Sequence, residues 1–264
     1  MKCIHYNIIY SNTIMSNIKE IEPEKKINIS KFNFSVDDID ESIPKPLPNQ
    51  LNFCWIICGK PGSGKSSLVL NLLCKRGKCY NKKFDRVFIW SPSLASMKDN
   101  PFADLPDEQK YMELTEENLE GVLSEIEETG DKVLFVMDDV VNDMKKNRKL
   151  ETLLCKILMN RRHLCGAGGS VAVIMTSQVY NKIPAPVRKC GNKMTIFHTK
   201  NKRELETIFD EMILIPKDDF FKILKHTFQK KHDFLYLDLD KAHNKMFHRN
   251  FNQLEFGVSD EVNF

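Results

Sequence analysis

The sequence lacks the features that mark secreted, membrane-spanning and zinc-ribbon proteins. Its eight cysteines are scattered and include no C-x-x-C pair, which argues against a zinc ribbon or a thioredoxin-like redox motif. Apolar runs such as residues 53–58 are far shorter than the ~20 residues of a membrane-spanning helix. Residues 1–10 do not form a continuous apolar run, because His5 and Asn7 lie among them, and they show no convincing signal-peptide cleavage site. We therefore expect a soluble, intracellular protein whose thiols stay reduced.

The chain also lacks a strong excess of charge. Its 39 lysines and arginines against 36 aspartates and glutamates leave a formal net charge of +3, which is too small to indicate a nucleic-acid partner by itself. A hydrophobic content of 42% and a charged content of 28% are those of an ordinary globular protein. The length of 264 residues suits one large α/β domain with an appendage.

Residues 59–66 read G-K-P-G-S-G-K-S and match the phosphate-binding loop, or P-loop, pattern G-x-x-x-x-G-K-[ST]. An apolar run leads into this loop, and a helical pattern over residues 66–76 follows it. Such loops direct backbone N–H groups and the positive end of a helix dipole at phosphate oxygens. The pattern predicts a nucleoside triphosphate site, with Lys65 on the β- and γ-phosphates and Ser66 on Mg²⁺. The residues expected to contact the nucleotide are Gly59, Lys60, Pro61, Gly62, Ser63, Gly64, Lys65, Ser66 and Ser67.

Short apolar runs alternate with helical patterns from residue 53 onward. Residues rich in β-formers occur at 53–58, 86–90, 132–137, 171–176 and 194–198. Between them, Thr115 and Asn201 are suited to begin helices, and residues 150–158 place leucines and isoleucine on one helical face. Apolar strands separated by helices indicate a parallel sheet that is covered on both faces. The sequence therefore predicts an α/β fold over residues 51–264, with a mainly parallel sheet.

Two acidic residues and an amide follow apolar strands downstream of the P-loop. Asp138 and Asp139 end the run at residues 132–137, where a carboxylate is placed to bind Mg²⁺ directly or through water, beside Ser66. Asp139 is then placed to polarise the attacking water, with Asp143 as a weaker alternative. Gln178 ends the next strand, and its amide can orient water or sense the γ-phosphate. A polar strand cap is the alternative interpretation of Gln178.

Arg161 and Arg162 close the amphipathic helix that precedes this strand. Cations at the end of a helix are often partners of its dipole. A second interpretation is an arginine finger that stabilises the transferring phosphoryl group. Because the pair lies away from its own P-loop in sequence, such a finger would act on a neighbouring subunit. That interpretation implies a ring, which we expect to be pentameric or hexameric.

These features, in this order, resemble the poxvirus-type genome-packaging ATPases of large DNA viruses and virophages. The resemblance covers roughly residues 50–255 and rests on the P-loop (Walker A), Asp138-Asp139 (Walker B), Arg162-His163, and Thr176 to Gln178 followed by Ile183-Pro184 and Arg188. That family belongs to the FtsK/HerA superfamily of RecA-like P-loop NTPases, which translocate DNA. The resemblance implies ATP hydrolysis with Mg²⁺ at Asp138, Asp139 as the catalytic acid, Gln178 as sensor, and an arginine finger at Arg161 or Arg162. It also implies double-stranded DNA and a capsid or portal component as partners, at a viral assembly site.

Two parts of the chain depart from the family pattern. Residues 1–50 match no family segment, and we interpret them as an N-terminal extension, either a tail or an arm that packs on a neighbouring subunit. The glycine-rich residues 166–169 follow the arginines and can alter how these are presented.

Two clusters of basic residues are candidates for DNA contact. Lys182, Arg188, Lys189 and Lys193 follow the sensor strand, and Lys241, Lys245 and Arg249 lie with Phe247 and Phe251 near the C-terminus. Mixed basic and aromatic side chains can hold a phosphate backbone and stack on bases. A solvated face is the alternative for each cluster.

Two other functions remain open at this point. A nucleotide or nucleoside kinase also uses a P-loop, but the acidic residues 92–107 do not resemble the arginine-rich lid of such enzymes. A non-catalytic nucleotide switch would need neither Asp139 nor Gln178 as water-positioning groups. We therefore expect an ATP-driven motor that packages viral DNA.

Overall fold

The computed structural model describes residues 38–74, 79–94, 102 and 104–256. Its strands are β1 (Cys54–Cys58), β2 (Arg86–Trp90), β3 (Lys110–Tyr111), β4 (Lys132–Asp138), β5 (Ser170–Ser177), β6 (Lys193–Phe197), β7 (Phe234–Asp238), β8 (Phe247–Arg249) and β9 (Asn252–Gln253). Its helices are α1 (Lys65–Cys74), α2 (Glu116–Ile126), α3 (Val141–Lys146), α4 (Arg148–Asn160), α5 (Ala185–Arg188), α6 (Lys202–Met212) and α7 (Lys217–Thr227).

The described strands form a nine-stranded sheet in the order β3-β2-β4-β5-β1-β6-β7-β8-β9. The pairs from β3 to β6 are parallel, and the pairs from β6 to β9 are antiparallel. Strand β5 lies between β1 and β4, with Ser177 opposite Cys58 and Thr176 opposite Asp138. The carboxyl ends of these three strands therefore lie side by side at one edge of the sheet.

The central strands are buried on both faces, which explains their continuous apolar sequences. On one face, Ile56, Phe135 and Val173 pack against helices α2, α4, α6 and α7. On the other face, Trp55 and Ile174 pack against α1 and residues 43–51. Each fully buried aliphatic side chain stabilises the fold by about 1.5–3 kcal/mol relative to exposure. The predicted mainly parallel sheet with helices on both faces is confirmed.

Side-chain caps fix the helix starts that the sequence predicted. The Thr115 hydroxyl accepts a hydrogen bond from the N–H of Asn118 at 3.2 Å, and the side-chain oxygen of Asn118 accepts one from the N–H of Thr115. The Asn201 side chain accepts from the N–H of Glu204 at 3.3 Å. The short helices α3 and α5 and the hairpin of β8 and β9 were not predicted, because their sequences are too short to show a clear period. Helix α7 was not predicted either, although its buried residues Phe220, Ile223, Leu224 and Thr227 have helical spacing.

Residues 38–50 run across the face that α1 covers. Ile43 and Leu47 are buried there, and the Tyr80 hydroxyl donates to the carbonyl of Pro48 at 2.7 Å. The predicted extension at residues 1–50 stays a prediction, because residues 1–37 lie outside the described residues. No helix among the residues described is both long and apolar enough to cross a membrane.

Candidate functional site

The P-loop connects the end of β1 to the start of α1 in a tight curve. Gly62 and Gly64 have positive φ angles of 72° and 113°, which glycine adopts without steric cost. Gly59 has no room for a side chain, because a Cβ there would lie 2.6 Å from the Ser63 hydroxyl and 2.7 Å from the Cβ of Phe197. The pattern's glycines are thus required by backbone angle or close packing.

The donors of this loop suit a polyphosphate. Lys65 is buried, and its ammonium donates to the carbonyl of Gly59 at 2.7 Å, so the charge lies over the loop itself. The buried Ser63 hydroxyl has no hydrogen-bond partner, while Ser66 and Ser67 are exposed in the first turn of α1. A helix N-terminus with a lysine and free hydroxyls fits ATP phosphates.

Asp138 lies at the carboxyl end of β4, facing the start of α1. Its carboxylate accepts hydrogen bonds from the Thr176 hydroxyl at 2.7 Å and the Ser91 hydroxyl at 3.0 Å. Asp138 and Ser66 line the same small cavity. A carboxylate and a serine hydroxyl are the kinds of ligand that hold Mg²⁺ in P-loop ATPases, and Asp138 and Ser66 are the residues that would hold it.

Asp139 and Gln178 meet at the same edge of the sheet. The Gln178 amide donates to the Asp139 carboxylate, and the N–H of Asp139 donates to the Thr176 hydroxyl at 3.2 Å. Asp139 has a positive φ of 60°, an uncommon angle outside glycine that often accompanies functional sites. Gln178 is exposed. The structure therefore brings together the acid and the amide that the sequence singled out separately.

Asp143, the weaker alternative to Asp139 as the group that polarises water, forms a hydrogen bond within the fold. Its carboxylate accepts a hydrogen bond from the N–H of Leu114 at 3.3 Å, which connects α3 to the segment before α2. This contact gives Asp143 a role in packing that does not involve the P-loop.

Three residues of the site were missed by sequence reasoning. Ser91 bonds Asp138, Phe197 packs against the P-loop glycines, and a ring nitrogen of His232 lies 2.9 Å from the carbonyl oxygen of Ser63. None belongs to a motif. Only the order of strands in the sheet places β2 beside β4, and β6 and then β7 on the far side of β1.

Arg161 and Arg162 follow α4 at the opposite, amino end of the sheet. The Arg161 guanidinium donates to the carbonyls of Asn52 and Leu158, the latter at 2.6 Å. These bonds fasten the end of α4 to the start of β1. A finger at Arg161 would have to give them up, and the assignment to either arginine stays a prediction.

The structure corrects part of the predicted DNA-contacting clusters. Arg188 is buried, forms an ion pair with Glu211 and lies 4.9 Å from the ring centre of Tyr180. Lys193 is buried between Asp238 and Asp240. Both cations are therefore unavailable to a DNA backbone. By contrast, Lys182 and Lys189 are exposed.

The structure also corrects the predicted C-terminal cluster of basic and aromatic residues. Phe247 is fully buried in β8, so the expectation that its ring stacks on bases is wrong. Phe251 is partly buried and packs edge-on against Trp55 and Tyr236, and its contact with DNA stays a prediction. Arg249 pairs with Asp233 at 3.0 Å. The exposed cations of this cluster are Lys241 and Lys245.

Comparison with known proteins agrees with this geometry. Residues 55–199 match the model of a family described as ATPase family associated with various cellular activities (AAA). The DNA-packaging ATPase B204 from Sulfolobus Turreted Icosahedral Virus has a similar fold, with a TM-score of 0.54 and 18% identity, covering 78% of this chain and 98% of that one. No curated protein matches the chain in sequence.

Two further solved structures are similar. The genome packaging NTPase B204 from Sulfolobus turreted icosahedral virus 2, in complex with sulfate, has a TM-score of 0.51 and 18% identity, covering 78% of this chain and 98% of that one. Its complex with ATP-gammaS has a TM-score of 0.50 and 15% identity, covering 75% and 97%. Together with the family match, these likenesses confirm the predicted RecA-like α/β fold of P-loop ATPases.

Proposed function

Because the chain belongs to the ATPase family associated with various cellular activities, we propose that it is an ATP-driven motor that moves double-stranded DNA into a viral capsid. The proposal extends the established P-loop ATPase fold to a specific reaction, polymer and assembly. It rests on the chemistry at the carboxyl edge of the sheet and on the likeness to viral packaging enzymes.

The observation that carries the hydrolytic part is the contact between Gln178 and Asp139 beside the P-loop. A carboxylate and an amide held together next to a γ-phosphate can orient a water molecule and accept its proton. Oxygen of that water then bonds to the γ-phosphorus, the bond to the β-phosphate oxygen breaks, and ADP and phosphate result. A pure binding switch needs no such water-positioning pair.

The remaining residues of the site have complementary roles in this scheme. Lys65 would leave the Gly59 carbonyl and contact the β- and γ-phosphates, while the loop's N–H groups hold the phosphate oxygens. Mg²⁺, held by Ser66 and Asp138, would neutralise charge on those oxygens. Arg161 or Arg162 of a neighbouring subunit would complete the site, which requires a ring.

The proposal that the motor packages viral DNA rests on different observations. The motif order of the chain resembles packaging ATPases, and the solved structures with the same fold include B204, a DNA-packaging ATPase. Exposed lysines, such as Lys182 and Lys189 beyond the sensor strand, would be repeated by every subunit around a ring. Modest basicity per subunit then suffices to hold a DNA backbone.

The test is the steady-state ATPase rate of the full chain, with and without double-stranded DNA, over a range of protein concentrations. A motor with shared sites should show a rate per subunit that rises with concentration and with DNA. A Lys65→Ala preparation, measured in parallel, controls for contaminating ATPases. A rate indifferent to both variables would remove the motor proposal, and transfer of phosphate to a nucleoside monophosphate would indicate a kinase.

A further inference from the structure

His232 contacts the P-loop from a part of the chain far away in sequence. Its Nδ1 lies 2.9 Å from the carbonyl oxygen of Ser63. A carbonyl oxygen can only accept a hydrogen bond, so Nδ1 must carry the hydrogen. The ring also flanks Gly64, where an added Cβ would lie 3.5 Å from Nδ1 and 3.4 Å from the Phe197 ring.

This contact sets the orientation of one peptide plane in the loop. The Ser63–Gly64 peptide bond is trans, so its C=O and N–H point in opposite directions. With the carbonyl directed at His232, the N–H of Gly64 is directed away from that ring. A hydrogen bond to the carbonyl also polarises the peptide and strengthens its N–H as a donor.

The turn that carries His232 is held firmly. The Asp233 carboxylate accepts bonds from the N–H groups of Gln229 and Lys230 at 3.0 and 2.8 Å. It also accepts from the side chains of Arg249 and Asn250 at 3.0 and 2.7 Å. Burial alone would raise the pKa of Asp233, but these hydrogen bonds outweigh it and lower the pKa to about 2.

Gly64 carries the N–H of this peptide and has an unusual backbone angle. The φ angle of Gly64 is 113°, which glycine adopts readily and most other residues do not. The backbone at a glycine also rotates easily. Without an external bond, the Ser63–Gly64 plane can turn and direct its N–H away from a phosphate. Loop flexibility of this kind lowers affinity, because binding must then order the loop.

We propose that His232 is a positioning residue of the nucleotide site, which fixes the Ser63–Gly64 peptide so that its N–H faces the ATP phosphates. The proposal rests on the proposed nucleotide binding at the P-loop and is independent of DNA translocation. His232 acts through the loop and needs no contact with the nucleotide. Its role is to prepare the phosphate cradle before ATP arrives.

The test compares two substitutions with opposite hydrogen-bonding ability. His232→Asn retains an N–H donor at the position of Nδ1, whereas His232→Phe retains a ring and loses the donor. The control is His226→Phe, an exposed histidine in the last turn of α7. For each full-length protein, the Kd of a fluorescent ATP analogue with Mg²⁺, the KM and kcat of hydrolysis, and the Tm are measured.

We expect His232→Phe to weaken nucleotide binding and raise KM by about three- to tenfold, the worth of one hydrogen bond. His232→Asn should stay within about twofold of the unaltered protein, since it keeps the same bond. His226→Phe should change neither value, and Tm should be similar in all four proteins.

The reverse order would overturn the proposal. If His232→Phe binds normally and His232→Asn binds poorly, the ring serves as packing and its N–H is dispensable. Equal Kd values for all variants would also refute it. Because nucleotide binding is measured without DNA, this result stands apart from the DNA test. A failure of DNA stimulation with the expected Kd order would remove the motor proposal alone.

Discussion

Polar side chains at the two ends of the parallel strands make different kinds of contact. At the amino end, Arg161 donates to backbone carbonyls, and Lys193 lies between two aspartates. At the carboxyl end, Ser66 and Gln178 are exposed, and the buried Ser63 hydroxyl has no partner. Arg161 and Lys193 at the amino end are thus occupied by partners within the protein, whereas Ser63, Ser66 and Gln178 at the carboxyl end retain capacity for a ligand. This is the end where open α/β sheets bind ligands.

Strand geometry explains the difference. In a parallel sheet each strand ends at the same edge, so β1, β4 and β5 bring the loop, the acids and the amide together there. At the other edge, the connections return from helices that must be fastened to the sheet. Paired charges serve that purpose, as Arg86 does with Glu125 at 2.8 Å and Asp131 at 3.1 Å.

The largest expected effect is the loss of turnover on replacing Lys65. Lys65→Ala removes the cation that would contact the β- and γ-phosphates and should abolish nucleotide binding or turnover. Lys225→Ala is the matched control, because Lys225 is an exposed lysine in the last turn of α7, outside the P-loop, and should change the rate little. Normal turnover in Lys65→Ala, measured by phosphate release, would remove the site assignment.

Asp139→Asn should separate binding from hydrolysis. The amide keeps the size of the carboxylate but cannot accept a proton from water, so kcat should fall by about 10²–10⁴-fold. The Kd of ATP should change little. Asp143→Asn is the control, since that carboxylate bonds the N–H of Leu114. Undiminished hydrolysis in Asp139→Asn would indicate another base or a nucleotide switch.

We expect substitutions of Arg161 and Arg162 to have different effects. Equal effects would contradict the difference between the two ends of the sheet. Arg161→Ala leaves the carbonyls of Asn52 and Leu158 without their bonds and should cost about 1–3 kcal/mol of stability. Arg162→Ala should slow hydrolysis by about 10³-fold in assembled protein if it is the finger. Urea unfolding and ATPase rates on the same preparations distinguish the two roles. Full activity of both variants would leave them as structural residues only.

The sequence predicted most of the fold and the residues of the motifs. The P-loop, Asp138, Asp139 and Gln178 were identified because each follows an apolar strand, and strand ends are visible as a change in composition. Their meeting at one edge followed from the parallel sheet alone. Local spacing carries this information, so no long-range contact had to be known.

The remaining residues depended on contacts across the sheet. His232 reaches Ser63 over 169 positions of sequence, and no local pattern marks such a histidine. Arg188 and Lys193 were interpreted as surface cations because basic residues usually are exposed. Their partners Glu211, Asp238 and Asp240 become neighbours only after folding, so burial could not be predicted.

The smallest expected effect on turnover comes from Lys193, whose role is confined to stability. Lys193→Met leaves the buried Asp238 carboxylate without its cation, which should cost about 3–5 kcal/mol, while the ATPase rate per folded molecule should stay unchanged. Lys241→Met, at an exposed lysine of the same end, should alter stability by no more than about 0.5 kcal/mol.

The double variant Lys193→Met, Asp238→Leu should recover much of the lost stability, because an apolar pair replaces an ion pair of similar volume. Urea unfolding followed by tryptophan fluorescence measures these differences. A loss of turnover in folded Lys193→Met would show that the amino end takes part in the chemistry, and the contrast between the two ends would fail.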